Sequence, residues 1–120
     1  MKVFIADDSQ VLRERLDEML SELPDIEIMG YAQDVPEAIS SIKKLHPDVV
    51  ILDIRMPGGS GVDVLQDIKQ TKQTPIVIVL TNYPYPQYRK KCMELGADFF
   101  FDKSAEFEKV TKVFRQLTEK

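Results

Sequence analysis

At 120 residues the chain accommodates one domain that buries roughly 65% of its unfolded surface, and 43% hydrophobic with 30% charged residues excludes a disordered segment. The net charge of −4, with Lys and Arg scattered, argues against a phosphate-tracking nucleic-acid surface, and the single cysteine, Cys92, rules out an internal disulfide or a thiolate metal cluster. The apolar run in MKVFIADDSQ is too short for a signal peptide and no stretch approaches the roughly 18 apolar residues of a membrane span, so a cytoplasmic protein is expected.

The first apolar run, Val3 to Ala6, has strand length and is followed by two carboxylates, Asp7 and Asp8. Leu12, Leu16, Met19, Leu20 and Leu23 then recur at helical spacing, with Asp8 or Ser9 available as N-cap. Ile26 to Tyr31 reads as a second strand, and Val35, Ala38, Ile39, Ile42 and Leu45 mark a second helix. The third strand, Val49 to Leu52, is wholly apolar and runs into Asp53 and a loop holding Pro57, Gly58, Gly59 and Gly61. Val64, Leu65 and Ile68 mark a third helix, after which a fourth strand, Ile76 to Leu80, ends at Thr81. A fourth helix carries Tyr88, Cys92 and Leu95 and closes at Gly96, with Cys92 expected to be buried. Phe99 to Phe101 is the fifth strand, just before Lys103. Phe107, Val110, Val113, Phe114 and Leu117 mark the last helix, with Ser104 as its expected N-cap and Glu106 and Glu108 near its positive end.

Continuous apolar strands alternating with helices predict a parallel sheet covered on both faces, a doubly wound α/β domain filling residues 1–120. Ligands of such sheets gather outside the carboxyl ends of the strands, where Asp7, Asp8, Asp53, Thr81 and Lys103 fall. Were the first and third strands neighbours, three carboxylates would share one pocket. Two unit charges about 4 Å apart repel by roughly 4 kcal/mol at an effective dielectric near 20, which demands a raised pKa or a cation. Oxygen ligands without histidine or thiolate favour Mg²⁺, an ion that also takes phosphoryl oxygens. Singly, Asp53 and Thr81 are ordinary strand-end residues and Lys103 an ordinary solvated lysine; their conjunction points to phosphoryl chemistry.

In order and spacing, the acidic pair in IADDS, the stretch DIRMPGGSG (Asp53, Met56, Pro57, Gly61), Thr81, and GADFFFDK ending in Lys103 closely resemble the receiver domain of two-component response regulators, over nearly the whole chain. The resemblance implies a flavodoxin-like five-stranded sheet in the order 2-1-3-4-5 with five helices. It implies a phosphoacceptor switch rather than an enzyme, with Asp53 taking a phosphoryl group from a histidine kinase, a phosphotransfer protein or a small phosphodonor. It further implies Mg²⁺, or Mn²⁺ in its place, on Asp8 and Asp53 directly, on Asp7 through water and on the backbone carbonyl of Arg55. Lys103 would offset phosphoryl charge, Thr81 would donate its hydroxyl to the transferred group, and Phe100 would reorient. The fourth helix, fifth strand and fifth helix, with Tyr88, Phe100 and Lys103, would form a surface that meets a downstream protein. The domain would be a monomer or a phosphorylation-dependent dimer, without direct contact to nucleic acid or membrane.

Three departures from the family pattern matter. Asn82 replaces the usual small residue after the strand-end Thr, and YPYP follows at 83 to 86, narrowing access. Arg55 and Tyr83, each the second residue after a motif position, are bulky and are expected, with Asn82, to set the phosphate lifetime by excluding water. Ser104 stands where proline commonly follows the lysine, leaving the isomer of that peptide bond open. His46, in the loop LHPD, lies far from the strand carboxyl ends and is not expected to carry phosphate. Among rival functions, an aspartyl-nucleophile phosphatase lacks its usual second Asp, since position 55 is Arg, and a flavin or nucleotide carrier lacks a phosphate loop after the first strand. A start at Met1 and an end in LTEK without a linker favour a free-standing receiver over one cut from a DNA-binding regulator.

Overall fold

The computed structural model describes residues 1–119, so the last residue of the expected 1–120 domain lies outside the described residues. In chain order the elements are β1 (Lys2–Ala6), α1 (Gln10–Ser21), β2 (Glu27–Ala32), α2 (Val35–Leu45), β3 (Val49–Leu52), β4 (Arg55–Met56), β5 (Gly59–Ser60), α3 (Gly61–Ile68), β6 (Ile76–Thr81), α4 (Pro86–Glu94), β7 (Phe99–Asp102) and α5 (Lys109–Thr118). Five of the strands form one sheet in the order β2-β1-β3-β6-β7, with every pairing parallel. This is the expected 2-1-3-4-5 order, the fourth and fifth sheet strands being β6 and β7.

Alternation along the strands divides the core in two. Phe4, Ala6, Val50, Leu52, Val77, Val79 and Phe100 point to one face and pack with residues of α2, α3 and α4. Val3, Ile5, Val49, Ile51, Ile78 and Leu80 point to the other and pack with α1 and α5. Leu16 of α1 and Phe114 of α5 are fully buried there, and truncating either to Ala would cost about 2–5 kcal/mol. Phe99 and Phe101 share this second face, stacked at 5.9 Å, as their alternation with Phe100 requires.

Register places the site. β1 pairs with β3 so that Ala6 lies beside Leu52, and the backbone ladder continues one step further, Asp53 N donating to Ala6 O at 3.0 Å. Asp7 and Asp53 therefore leave adjacent strands side by side, where the strand order reverses between β1 and β3.

Two local expectations are corrected. The small hairpin β4–β5 was not anticipated; it turns through Pro57 and Gly58, whose φ of 84° suits the third position of a type II turn after proline. Pro57 O accepts Val35 N at 3.0 Å and ties the hairpin to the start of α2. Nor is Ser104 the N-cap of the last helix, which begins at Lys109 after Glu108. Asp102 and Glu106 bond each other twice instead, Glu106 N to Asp102 O at 2.8 Å and Asp102 N to Glu106 Oε1 at 3.2 Å. Those bonds close a turn over Ser104, whose own N–H donates to Asp102 Oδ1 at 2.8 Å. The Lys103–Ser104 bond is trans, since no cis peptide occurs among the described residues.

Candidate acidic site at the strand carboxyl ends

Lys103 binds two carboxylates at once. Its Nζ lies 2.8 Å from Asp7 Oδ2 and 2.9 Å from Asp53 Oδ2, and all three residues are buried. Burial alone would lower the ammonium's pKa, but the hydrogen bonds to Asp7 and Asp53 outweigh it and raise Lys103 above the ordinary lysine value. For Asp7 burial dominates and raises the pKa, opposed by the bonds from Lys103 and from Ser9 N at 2.8 Å. Arg13 adds a donor to the Asp7 carbonyl at 2.9 Å, fixing the end of β1 against α1.

Ser9 Oγ accepts Leu12 N at 3.3 Å and is the cap of α1, which leaves the exposed Asp8 free of that duty. Oxygens of Asp7, Asp8 and Asp53 all lie within 4.8 Å of one another. Three carboxylates against one ammonium leave two negative charges, the deficit a divalent cation fills. Asp53 Oδ1 is buried and has no hydrogen-bond partner among the described residues, a state that costs about 1–3 kcal/mol unless something outside the chain satisfies it. The donor set, all hard oxygen, fits a small divalent ion.

Thr81 is fully buried at the end of β6, and its Oγ1 accepts Tyr83 N at 3.1 Å. The two residues after it part company. Asn82 faces a hollow on the α1 side with Val11, Arg15 and Ser104, whereas Tyr83 faces a cleft of about 530 Å³ with Asp8, Arg55, Met56, Pro57 and Tyr88. Across that cleft the Arg55 guanidinium carbon lies 4.1 Å over the centre of the Tyr83 ring. Phe100, expected on a surface, is only 3% exposed: it packs into the core beside Tyr88 and is covered by Arg89, 4.9 Å from its ring centre. His46 caps α2 at the other end of the sheet, beside a hollow of about 260 Å³ floored by Ile42, Ile68 and Pro75 and far from the carboxylates. Gly61 closes the loop after β3, its N–H donating to Ile54 O at 2.6 Å. A Cβ there would collide with the Asp53 carbonyl, so only glycine fits. The Ser60 and Asp63 capping box of α3 is legible as S-x-x-D but is absent from the sequence expectations above.

A doubly wound parallel sheet with three carboxylates and a bridging lysine at its switch point defines an acidic receiver of the signalling type. The chain belongs to the response regulator receiver domain family, whose model matches residues 3–115. It is 38% identical over 102 residues to a protein-glutamate methylesterase/protein-glutamine glutaminase of Hydrogenovibrio crunogenus, covering 85% of this chain and 24% of that protein. It is 32% identical over 116 residues to the transcriptional regulatory protein YvfU of Bacillus subtilis, covering 97% of this chain and 58% of that one. The response regulator domain of Thermotoga maritima CheB superposes with a TM-score of 0.84 at 27% identity, over 98% of this chain and 92% of the other. The chain spans only part of the curated relatives it matches, about a quarter of the methylesterase. No helix among the described residues is long and apolar enough to cross a membrane.

Proposed function

We propose that this receiver domain is a phosphorylation switch with Asp53 as its acceptor. The observation that carries the reading is the state of the Asp53 carboxylate, one oxygen held by Lys103 and the other buried without a partner beside Asp7 and Asp8. Such a group is a fixed nucleophile in a pocket short of positive charge. The donor is the phosphohistidine of a histidine kinase or phosphotransfer protein, or a small phosphodonor such as acetyl phosphate. An Asp53 oxygen forms the new P–O bond as the P–N bond to the donor imidazole breaks; the imidazole keeps the electron pair and recovers a proton from solvent. Asp7, Asp8 and Asp53, with the backbone carbonyl of Arg55, would hold Mg²⁺ or Mn²⁺, which when bound neutralises charge on phosphoryl oxygens.

Lys103 offsets the same charge from the opposite side and keeps the carboxylate in place. The Thr81 hydroxyl donates to the phosphoryl group while its oxygen goes on accepting Tyr83 N, which draws the loop at residues 82–85 inward and unsettles the packing of Phe100 under Arg89. Arg55, Tyr83 and Asn82 govern the approach of water and hence the lifetime of the acyl phosphate. The output is binding of a downstream protein by α4, β7 and α5, from a cytoplasmic domain that is monomeric or dimerises on phosphorylation; the domain itself turns over no other substrate.

Intact mass after incubation with acetyl phosphate and Mg²⁺ tests the assignment. Wild type should gain one phosphoryl group and Asp53→Asn none, and equal labelling of the variant would refute it. A second reading, in which the domain governs an attached effector, is favoured by the greater length of the methylesterase and of YvfU. The genomic reading frame downstream of codon 120 decides between them.

A further inference from the structure

The end of the sheet opposite the acidic group carries a cavity that the phosphoryl chemistry does not use. It is a hollow of about 260 Å³ between the C-terminal ends of α2 and α3, beside the loops that lead into β3 and β6. Ile42, Pro47, Ile68 and Pro75 line it and are themselves buried. Water placed over these side chains finds few polar partners, so an apolar group fills the space better. The volume lies just below the range of about 300–1,000 Å³ usual for drug-sized ligands, which sets the occupant at about ten to twelve non-hydrogen atoms.

The walls are built before any ligand arrives. The Thr71 hydroxyl donates to Ile68 O at 2.9 Å and lies 3.3 Å from Gln73 O, and Lys69 Nζ donates to Pro75 O at 3.0 Å, so the connection from α3 to β6 is pinned to the end of its own helix. On the other side Asp48 N donates to Lys2 O at 2.8 Å and Ile76 N to Asp48 O at 2.9 Å, which fixes the loop after His46. A pocket held in this way adds little ordering cost to binding.

Its rim is cationic. Lys43 and Lys72 are exposed there and no carboxylate lines the hollow. Lys43 Nζ lies 3.3 Å from Asp67 Oδ2, whereas Lys72 makes no ion pair among the described residues. Asp48 faces a separate, adjoining hollow and already accepts Lys2 N at 2.8 Å. A cation is the poorer fit although both helices point their negative ends this way, since Lys43 and Lys44 occupy the last turn of α2 and Thr71 covers Ile68 O.

His46 separates the two hollows and has an unusual backbone. Its φ of 50° is left-handed, at a helix end where glycine is the common choice, and the following Pro47 favours an extended residue before it. Glycine would hold this turn with less strain, so the imidazole is kept at the rim against the local backbone preference.

We infer that this hollow binds a small amphipathic monocarboxylate. Its apolar body covers Ile42, Ile68 and Pro75, and its carboxylate meets Lys72 and Lys43 at the rim, with the His46 imidazole as a further N–H donor. The body is either a short acyl chain or a single aromatic ring, since both have the required size and neither needs a polar partner inside.

The test titrates the full chain with octanoate and with 3-phenylpropionate, read by amide chemical shifts. Controls are 1-octanol, octylamine and acetate, which lack in turn the charge, its sign and the apolar body. The expected result is saturable binding of a carboxylate with a Kd of about 0.1–1 mM and shifts centred on residues 42–47 and 68–75. Tighter binding of octanoate assigns an acyl chain and tighter binding of 3-phenylpropionate an aromatic acid. Lys72→Glu should weaken binding about fivefold. His46→Gly should weaken it about threefold while the urea midpoint stays at or above that of wild type, because glycine relieves the left-handed turn. No saturable shifts at millimolar carboxylate, shifts centred elsewhere, equal binding of any control, or wild-type affinity in both variants overturns the proposal. Should His46→Gly lower the midpoint, Lys72→Glu, an exposed substitution, decides alone.

Discussion

Removing the Arg55–Tyr83 stack should shorten the life of the phosphorylated state. The guanidinium carbon sits 4.1 Å over the ring, and both residues wall the cleft that also holds Asp8. Hydrolysis of an acyl phosphate at Asp53 needs a water in line behind the phosphorus, and a closed stack leaves that water no place. A cation–π contact at an exposed site contributes about 0.5–1 kcal/mol, which corresponds to about two to five closed molecules for each open one. If water enters only when the stack is open, closure slows hydrolysis about three- to sixfold. Arg55→Asn combined with Tyr83→Ala should therefore dephosphorylate faster by that factor, measured as loss of the phosphoryl mass at saturating Mg²⁺ after the donor is removed. Tyr83→Phe, which keeps the ring, should stay within about twofold of wild type. A double variant that hydrolyses no faster than wild type would show that the stack shields nothing.

Three further outcomes follow from the same geometry. Thr81→Ala should accept phosphate but transmit it poorly, and should lose about 1–2 kcal/mol in urea unfolding because Tyr83 N is left without its acceptor; amide shifts near Phe100 as large in the phosphorylated variant as in phosphorylated wild type would contradict the switch role. Gly61→Ala should destabilise by roughly 3 kcal/mol or more, since the new methyl collides with backbone at Asp53 and Ile54 that cannot turn aside; an unchanged urea midpoint would refute the close approach. Burial pushes the Cys92 thiol up from 9.0 to about 11, so at pH 8 the folded protein should react with a thiol reagent about 100-fold more slowly than the urea-unfolded chain. The sign for stability follows: this contribution is fully present below the unfolded thiol's ordinary value of 9.0 and is lost as pH rises toward 11, so alkaline titration that leaves stability flat across that window would contradict the buried placement.

Much of this molecule is legible along the chain because the signals involved are local. A strand covered on both faces must be a continuous apolar run, and a helix must repeat its apolar residues every three or four positions, so β3 and α2 announce themselves within a few residues of their true ends. The acidic group is legible for a related reason. Asp7, Asp8, Asp53 and Thr81 each follow an apolar run, and a parallel sheet brings all such ends to one rim. Tertiary structure alone decided how those residues engage. Lys103 could have been solvated or held by one partner; packing of β1, β3 and β7 buries it between Asp7 and Asp53 and so sets the charge left for a cation. Ser104 has the chemistry of an N-cap, yet the paired bonds between Asp102 and Glu106 delay α5 to Lys109. Asn82 and Tyr83 are neighbours in sequence but face different clefts, and Tyr83 meets an arginine from another loop. Contacts of this kind depend on separations between elements, which no periodicity records and only the packing of the two cores sets.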